Sequence, residues 1–417
     1  MESICVWGGV ALQGKVHIQG SKNAALPVLA ATLLTGDSSY IRNCPRISDV
    51  HAMVSLLREL GCEVNWKEDG VLVNPAGICL GEMKSDAVRC MRSSLCLLGA
   101  LLGRCGEVVM EHPGGCVIGS RPIDLHIAAL EKMGVSFAVE GSRLKAVVKR
   151  LHGAEIRLEK PSVGATENVI LAGVMAEGDT ILHGAAREPE ICALCRYLEN
   201  CGALIEGTGG ETLAIHGGRT LYGTDYRVPS DRIVAGTYLF ACLVSGGNIL
   251  LEDAPASEME SVLRLCEQMG GHICISEEGI YVQGPAVPKA GGYVRTAAYP
   301  GFPTDLQSVA LATASVAEGE TVIEETIFEN RFRIVEELRR MGAEIEVLND
   351  KKVLVRGVPY LTGCEVEAKE LRGGAALTVA ALRAEGRTTI TGCSYIYRGY
   401  ENICRDFKEL GARIISV

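Results

Sequence analysis

Six times along this chain a glycine closes an amphipathic segment and a short strand-like run follows at once. The phrases are Leu60-Gly-Cys-Glu-Val64, Met133-Gly-Val-Ser-Phe137, Cys201-Gly-Ala-Leu-Ile205, Met269-Gly-Gly-His-Ile273, Met341-Gly-Ala-Glu-Ile345 and Leu410-Gly-Ala-Arg-Ile414, spaced by about seventy residues. Glycine takes the left-handed conformation without a Cβ clash, so it is the residue on which a helix ends and reverses. Upstream of each phrase lies a second, almost wholly apolar segment, ending at Gly36, Gly106, Gly178, Gly246, Gly319 or Gly386. A helix apolar on nearly every side belongs in a core. Strands such as Thr321-Val-Ile-Glu324 and Thr388-Thr-Ile-Thr391 come next. The repeated unit is therefore buried helix, strand, surface helix and strand pair, made six times. In the first copy Ser48 is expected to cap a helix whose stripe is Val50, Met53, Val54, Leu57 and Leu60. Repetition of mixed helix and strand predicts an α/β protein of two three-unit halves, with Gly217 to Asp225 as the seam between them.

At 417 residues the chain is long enough for two or three domains and a large core. A formal net charge of -10 argues against general nucleic-acid binding, so any anionic ligand must be held by cations gathered locally. Aromatics at 5% leave little for stacking platforms. The start, Met1-Glu-Ser-Ile-Cys-Val-Trp7, lacks a basic region before a long apolar stretch, and apolar runs such as Ala24 to Leu34 are too short to span a bilayer. The 17 cysteines are odd in number and scattered through apolar segments, which predicts a reducing cytoplasm. Cys192 and Cys195 form a close pair without a second pair or nearby histidines, so helix packing is expected of them rather than zinc. Neither a phosphate-binding Gly-x-x-x-x-Gly-Lys-Ser/Thr loop nor His-Glu-x-x-His occurs, and no cofactor or metal is expected.

The repeat supplies a phase. Fourteen residues before each glycine that ends an apolar segment stand Lys22, Arg92, Gly164, Arg232, Asp305 and Arg372. Four of these six are Lys or Arg, although only 41 of 417 residues are, so the enrichment is local. They fall where the buried helices begin, beside exposed amides and the positive end of the helix dipole, which suits phosphates and carboxylates. A purely capping role fits less well, because caps favour Ser, Asp and Asn. Facing halves would bring these ends to one cleft.

The interval from Gly106 to Gly134 is the longest of its kind, and its extra residues fall at His112-Pro-Gly-Gly-Cys116. One copy of the scaffold has grown a loop that carries a thiol. Arg121, Asp124 and His126 follow closely. A cysteine on a glycine-rich turn beside a cation has reason to be acidic and reactive. Variations on a rigid frame are where functional groups tend to sit.

Several stretches together resemble a known family. Gly20-Ser-Lys-Asn-Ala-Ala-Leu-Pro27, the Pro-Gly-Gly-Cys loop with Gly119-Ser-Arg-Pro-Ile-Asp-Leu-His126, Ser162-Val-Gly-Ala-Thr166, Ala186-Arg-Glu-Pro-Glu190, Phe302-Pro-Thr-Asp305, Phe328-Glu-Asn-Arg-Phe332 and Arg398-Gly-Tyr-Glu401 are similar to the UDP-N-acetylglucosamine 1-carboxyvinyltransferases, enolpyruvyl transferases of early peptidoglycan synthesis. The resemblance runs from about residue 5 to the end. It implies a two-domain inside-out α/β barrel of six units, three per domain. Residues 22–229 would form the first lobe, residues 1–21 and 230–417 the second, with the active site between them.

The resemblance also implies roles. Lys22, Asn23, Arg92, Arg121, Arg372 and Arg398 would bind phosphoenolpyruvate. Asn23, Arg92, Arg121, Pro122, Ile123, Asp124, Leu125, Lys160, Ser162, Val163, Gly164, Asp305 and Ile327 would hold UDP-N-acetylglucosamine, Ile327 through its backbone. Asp231 and Arg232 would line the interdomain surface. Cys116 would protonate C3 of phosphoenolpyruvate, and Asp305 would take the proton of the attacking 3-hydroxyl or orient it; Lys22 and Arg398 complete the catalytic set. Cys116 would also form a covalent adduct with phosphoenolpyruvate and be the thiol that fosfomycin alkylates. The family implies a cytoplasmic enzyme on two small-molecule substrates, with no nucleic acid, membrane or metal involved, and nothing requires more than a monomer. Where the family has Asp two residues before Arg372, this chain has Glu370. A catalytically weak or regulatory paralogue is the alternative it raises. Transfer to a shikimate-type acceptor is disfavoured by Cys116 and Ser-Lys-Asn, and a thiol-redox role for Cys116 or the Cys192 pair is a further alternative.

Overall fold

The computed structural model describes residues 3–79, 95–111, 123–141 and 143–417. Among them are twelve helices: α1 Lys22–Ala31, α2 Ser48–Glu59, α3 Leu97–Cys105, α4 Asp124–Lys132, α5 Val163–Gly173, α6 Pro189–Asn200, α7 Arg232–Ser245, α8 Glu260–Gln268, α9 Gln307–Ala314, α10 Val335–Arg340, α11 Leu371–Ala381 and α12 Ile403–Glu409. They alternate in character. The odd-numbered helices are buried along most of their length, whereas the even-numbered ones bury one face. The strands of each copy form a separate sheet, six in all among the described residues, with a small extra ribbon of Leu361–Thr362 and Ala384–Glu385.

The glycines that end the surface helices, 61, 134, 202, 270, 342 and 411, all have positive φ, from 89° to 105°. The apolar helices behave less uniformly. Gly106, Gly178, Gly246, Gly319 and Gly386 are left-handed, but Gly36 is not. There α1 passes into a 3₁₀ turn, Thr32–Leu34. Thr35 Oγ1 then sits 3.0 Å from the Thr32 carbonyl and 2.9 Å from that of Asp37, so a side chain closes the end that glycine closes elsewhere. Ser48 is also not a cap. Ile47 holds that position with no side-chain bond, and Asp49 in the first turn supplies negative charge to the dipole instead.

Strand pairing does not follow chain order. The first strand, Ile4–Trp7, lies antiparallel between Arg387–Thr391 and Arg413–Ser416 and completes the sixth sheet. The next, Gln13–His17, pairs parallel with Asn248–Glu252 in the fourth sheet, while Asp225–Arg227 pairs parallel with Tyr40–Arg42 in the first. The chain accordingly divides into two compact units, one of residues 3–19 and 230–417 and the other of the described residues within 20–229. The expected seam at Gly217 to Asp225 lies too early, because Asp225–Arg227 is still a strand of the first sheet.

Each unit has its own apolar core. Each fully buried Leu, Ile or Val contributes about 1.5–3 kcal/mol to such a core. Some polar groups inside it are paired with one another: Tyr238 Oη donates to Asp406 Oδ2 at 2.7 Å, and the hydroxyls of Thr237 and Tyr400 lie 2.7 Å apart. Most described cysteines serve as packing. Burial pushes the Cys195 thiol up to about 12 and that of Cys242 to about 11, so neither is a reactive thiolate. Among the described residues no helix is long and apolar enough to cross a membrane.

Candidate active site

The capping residues stand just upstream of the phase positions. Ser21 Oγ accepts from Ala24 N–H and leaves Lys22 as the first residue of α1. Ser162 Oγ accepts from Ala165 N–H at the start of α5, which places Gly164 in its first turn. Asp231, 2% exposed, takes the N–H groups of Ile233 and Val234 at 2.8 and 3.1 Å, and Arg232 begins α7. Division of labour thus resolves the competition between cap and cation: the acceptor caps, and the next residue or two carries the charge. Arg92 lies outside the described residues, as do Cys116, Arg121 and Pro122.

Asp305 lies in the 3₁₀ turn Thr304–Leu306 that leads into α9. Its two oxygens are held by two guanidinium groups. Arg331 Nη2 donates to Oδ1 at 2.9 Å and Arg372 Nη2 to Oδ2 at 2.8 Å. Both arginines are almost wholly buried, at 3% and 4% exposure, so these charges are paired in a low-dielectric setting. Burial works against the charge on Arg372, but Asp305 first, with Tyr400 and Asp231 after it, outweighs burial and holds the group above its ordinary value. Arg372 Nη1 is buried and has no hydrogen-bond partner among the described residues. A donor of that kind suits an anion.

Glu370 is the cap of α11. Its carboxylate accepts from Arg372 N–H at 2.8 Å and from Gly373 N–H, and lies 3.9 Å from Arg331 Nη1. The extra methylene relative to aspartate still permits capping, because the carboxylate folds back on the helix. Ile327, 41% exposed, gives its N–H to Glu325 Oε1 at 2.7 Å. Arg398 ends the 3₁₀ segment Cys393–Arg398 after left-handed Gly392, half-buried.

In the other unit, Lys22 Nζ lies 2.6 Å from Asp49 Oδ2, with both side chains largely buried. Asn168 on α5 joins three segments. Its Nδ2 lies 3.0 Å from His126 Nδ1, 3.0 Å from the Gly164 carbonyl and 3.1 Å from that of Leu95, and its Oδ1 accepts from Gly99 N–H at 2.6 Å. His126 thereby comes to rest over the start of α5, where a Cβ on Gly164 would meet its Cε1 at 2.9 Å. The one phase position without a side chain is the one already filled by a ring. Ile123 is buried, Asn23, Leu125, Ser162 and Val163 are half-buried, and Asp124 and Lys160 are exposed.

Two residues of this site were not singled out from sequence. Arg331 belongs to the Phe328-Glu-Asn-Arg-Phe332 stretch, which carried the resemblance but suggested no partner. Glu325 gave no signal beyond ending a strand-like run. Among the described residues no group of His, Cys, Asp and Glu is arranged to hold a metal ion.

A family model described as EPSP synthase (3-phosphoshikimate 1-carboxyvinyltransferase) matches residues 6–407. UDP-N-acetylglucosamine 1-carboxyvinyltransferase 2 of Caldanaerobacter subterraneus subsp. tengcongensis is 42% identical over 410 residues, 98% of each chain. The chain belongs to this enolpyruvyl transferase family. A second relative within it, UDP-N-acetylglucosamine 1-carboxyvinyltransferase of Nitratidesulfovibrio vulgaris, is 43% identical over 414 residues, 99% of each chain. Among solved structures, the enolpyruvyl transferase NikO from Streptomyces tendae superimposes with a TM-score of 0.89 at 24% identity, covering 100% of this chain and 99% of its own. EPSP synthase from Acinetobacter baumannii gives 0.76 at 19% identity, with 100% of both chains covered. The fold is the enolpyruvyl transferase one, an inside-out α/β fold whose six main sheets among the described residues divide three to each unit.

Proposed function

We propose that this enolpyruvyl transferase moves the enolpyruvyl group of phosphoenolpyruvate to the 3-hydroxyl of UDP-N-acetylglucosamine and releases phosphate. Two observations support the reading together: full-length identity of 42–43% to relatives bearing that name, and a carboxylate, Asp305, held by two buried arginines, each of which keeps a spare donor, Arg331 Nε and Arg372 Nη1. Lys22, Asn23, Arg92, Arg121, Arg372 and Arg398 are assigned to phosphoenolpyruvate. Arg121 to Leu125, Lys160, Ser162 to Gly164, Asp305 and Ile327 are assigned to the nucleotide sugar, with Asn23 and Arg92 shared.

Phosphoenolpyruvate becomes electrophilic at C2 only when C3 gains a proton. Cys116 donates it, leaving a thiolate. The 3-hydroxyl oxygen bonds to C2 as its proton passes to Asp305, giving a tetrahedral phosphoketal. The C2–O bond to phosphate then breaks, phosphate leaves as hydrogen phosphate with the proton that Asp305 gives up, the Cys116 thiolate removes a C3 proton, and the enol ether forms. Lys22 and the arginines stabilise charge on the departing phosphate. The protein acts as a cytoplasmic monomer on these small molecules.

Incubation with both substrates tests the reading. Phosphate is released only when phosphoenolpyruvate and UDP-N-acetylglucosamine are both present. Release with shikimate 3-phosphate as acceptor, or none with either, overturns it.

A further inference from the structure

Glu325 is 1% exposed and its carboxylate gathers four donors. Oε1 accepts from Thr296 Oγ1 at 2.9 Å, Ile327 N–H at 2.7 Å and Phe328 N–H at 3.1 Å, while Oε2 accepts from Thr304 Oγ1 at 2.9 Å. A carboxylate that accepts several N–H and O–H groups in a dry site holds them more rigidly than neutral acceptors would. The four donors are not equivalent in position. Thr304 precedes Asp305 in the same 3₁₀ turn, and Arg331 Nη2, which grips Asp305, also donates to the Thr304 carbonyl at 3.2 Å. Ile327 and Phe328 belong to the adjoining loop after strand Glu320–Glu324. Thr296 binds that loop a second time, accepting from Thr326 N–H at 2.9 Å.

We infer that Glu325 is a positioning residue for the acceptor sugar: one buried carboxylate fixes the turn that carries Asp305 and the loop that carries Ile327 in a single arrangement. The inference rests on the proposed function, in which Asp305 meets the 3-hydroxyl and Ile327 the sugar. Because Glu325 occupies the N–H of Ile327, the backbone group Ile327 presents to a ligand is its carbonyl. Glu325 touches no reacting atom. Its effect is to keep the base and the sugar contact in register, and a displacement of about 1 Å in such a pair costs up to ~100-fold in rate.

The test is a kinetic split on the full-length enzyme. Glu325→Gln keeps volume and shape but loses the charge. It is expected to raise KM for UDP-N-acetylglucosamine and lower kcat, each by about tenfold or more, while KM for phosphoenolpyruvate stays within about twofold. Thr304→Val, which cuts only the arm to Asp305, lowers kcat by a similar factor and leaves KM for the nucleotide sugar unchanged. A solely structural Glu325 would lower the melting temperature of E325Q and leave the constants of the folded enzyme alone, and that result overturns the inference. If E325Q does not fold, T304V decides: wild-type kcat in T304V overturns it. An inactive wild-type enzyme would instead refute the proposed function, so the two failures are distinguishable.

Discussion

Arg372 Nη2 and Asp305 Oδ2 stand 2.8 Å apart, although 67 positions separate the residues in the chain. The pair joins the start of α11 to the turn before α9, and Arg331 binds the other oxygen of the same carboxylate. Removing Asp305 would take from two buried guanidinium groups the counter-ion they share, leaving Arg331, among the described residues, only Glu370 at 3.9 Å.

Asp305→Asn is therefore expected to act twice. Loss of the proton acceptor proposed for the 3-hydroxyl lowers kcat by about 100-fold or more. Loss of the shared anion destabilises this unit by on the order of 3 kcal/mol. Steady-state phosphate release and urea unfolding measure the two separately. Wild-type stability in D305N would show that the arginines are not dependent on that carboxylate.

Cys116→Ser is expected to reduce turnover below about 1% of wild type, because a hydroxyl is a far weaker acid than a thiol. Cys192→Ser on α6 should retain it. Equal losses in the two variants would remove Cys116 as the proton donor.

Glu370→Ala removes both acceptors at the start of α11 and should cost about 1 kcal/mol in chemical denaturation. Glu370→Asp, the residue usual in the family, retains the cap and should remain within about 0.5 kcal/mol of wild type. A loss in E370D as large as that in E370A would contradict capping as the role of this side chain.

Glu167 on α5 gives a pH test. Burial first, and then Glu190 and Glu188, push its carboxyl up to about 8. In the unfolded chain it titrates near ~4.3. Between those values the folded protein keeps a proton that the unfolded chain releases, so this group's contribution to stability falls as pH rises from about 4.3 to about 8, and levels off above. Glu167→Gln abolishes that slope. Its stability relative to wild type should improve between pH 5 and pH 8, by at most ~1.4 kcal/mol per pH unit. A constant difference across that range would refute the shift.

Gly164→Ala places a methyl group against His126, which Asn168 fixes, and is expected to destabilise by about 1–3 kcal/mol. Thermal melting of G164A at wild-type temperature would show that the ring moves aside freely.

How much was legible in advance follows from where the information lies. The left-handed glycines at 61, 134, 202, 270, 342 and 411 were readable because helix termination is a local steric matter. So were the buried helices and the polar residues in their first turns, since apolar periodicity and chain phase are properties of short segments. Gly36 failed as a signal because Thr35 and a 3₁₀ turn close that helix end in another way, and Ser48 because the helix begins one residue earlier, with Ile47 at the cap and no side-chain bond there. The conjunction of Arg331, Arg372 and Asp305 was not legible, and neither was Glu325, because no local rule states which distant donor a buried carboxylate will receive.

By itself the sequence determined the six-unit repeat, its alternation of buried and surface helices, and the placing of Lys22, Arg232 and Arg372 at helix starts; each depends on residues within one or two turns of one another. Tertiary structure alone decided that Ile4–Trp7 closes the sixth sheet, that Gln13–His17 joins the fourth and that Asp225–Arg227 joins the first. It alone decided that two arginines meet on one aspartate. Such pairings are chosen by long-range packing, in which the loss of chain entropy is offset only when the whole core forms.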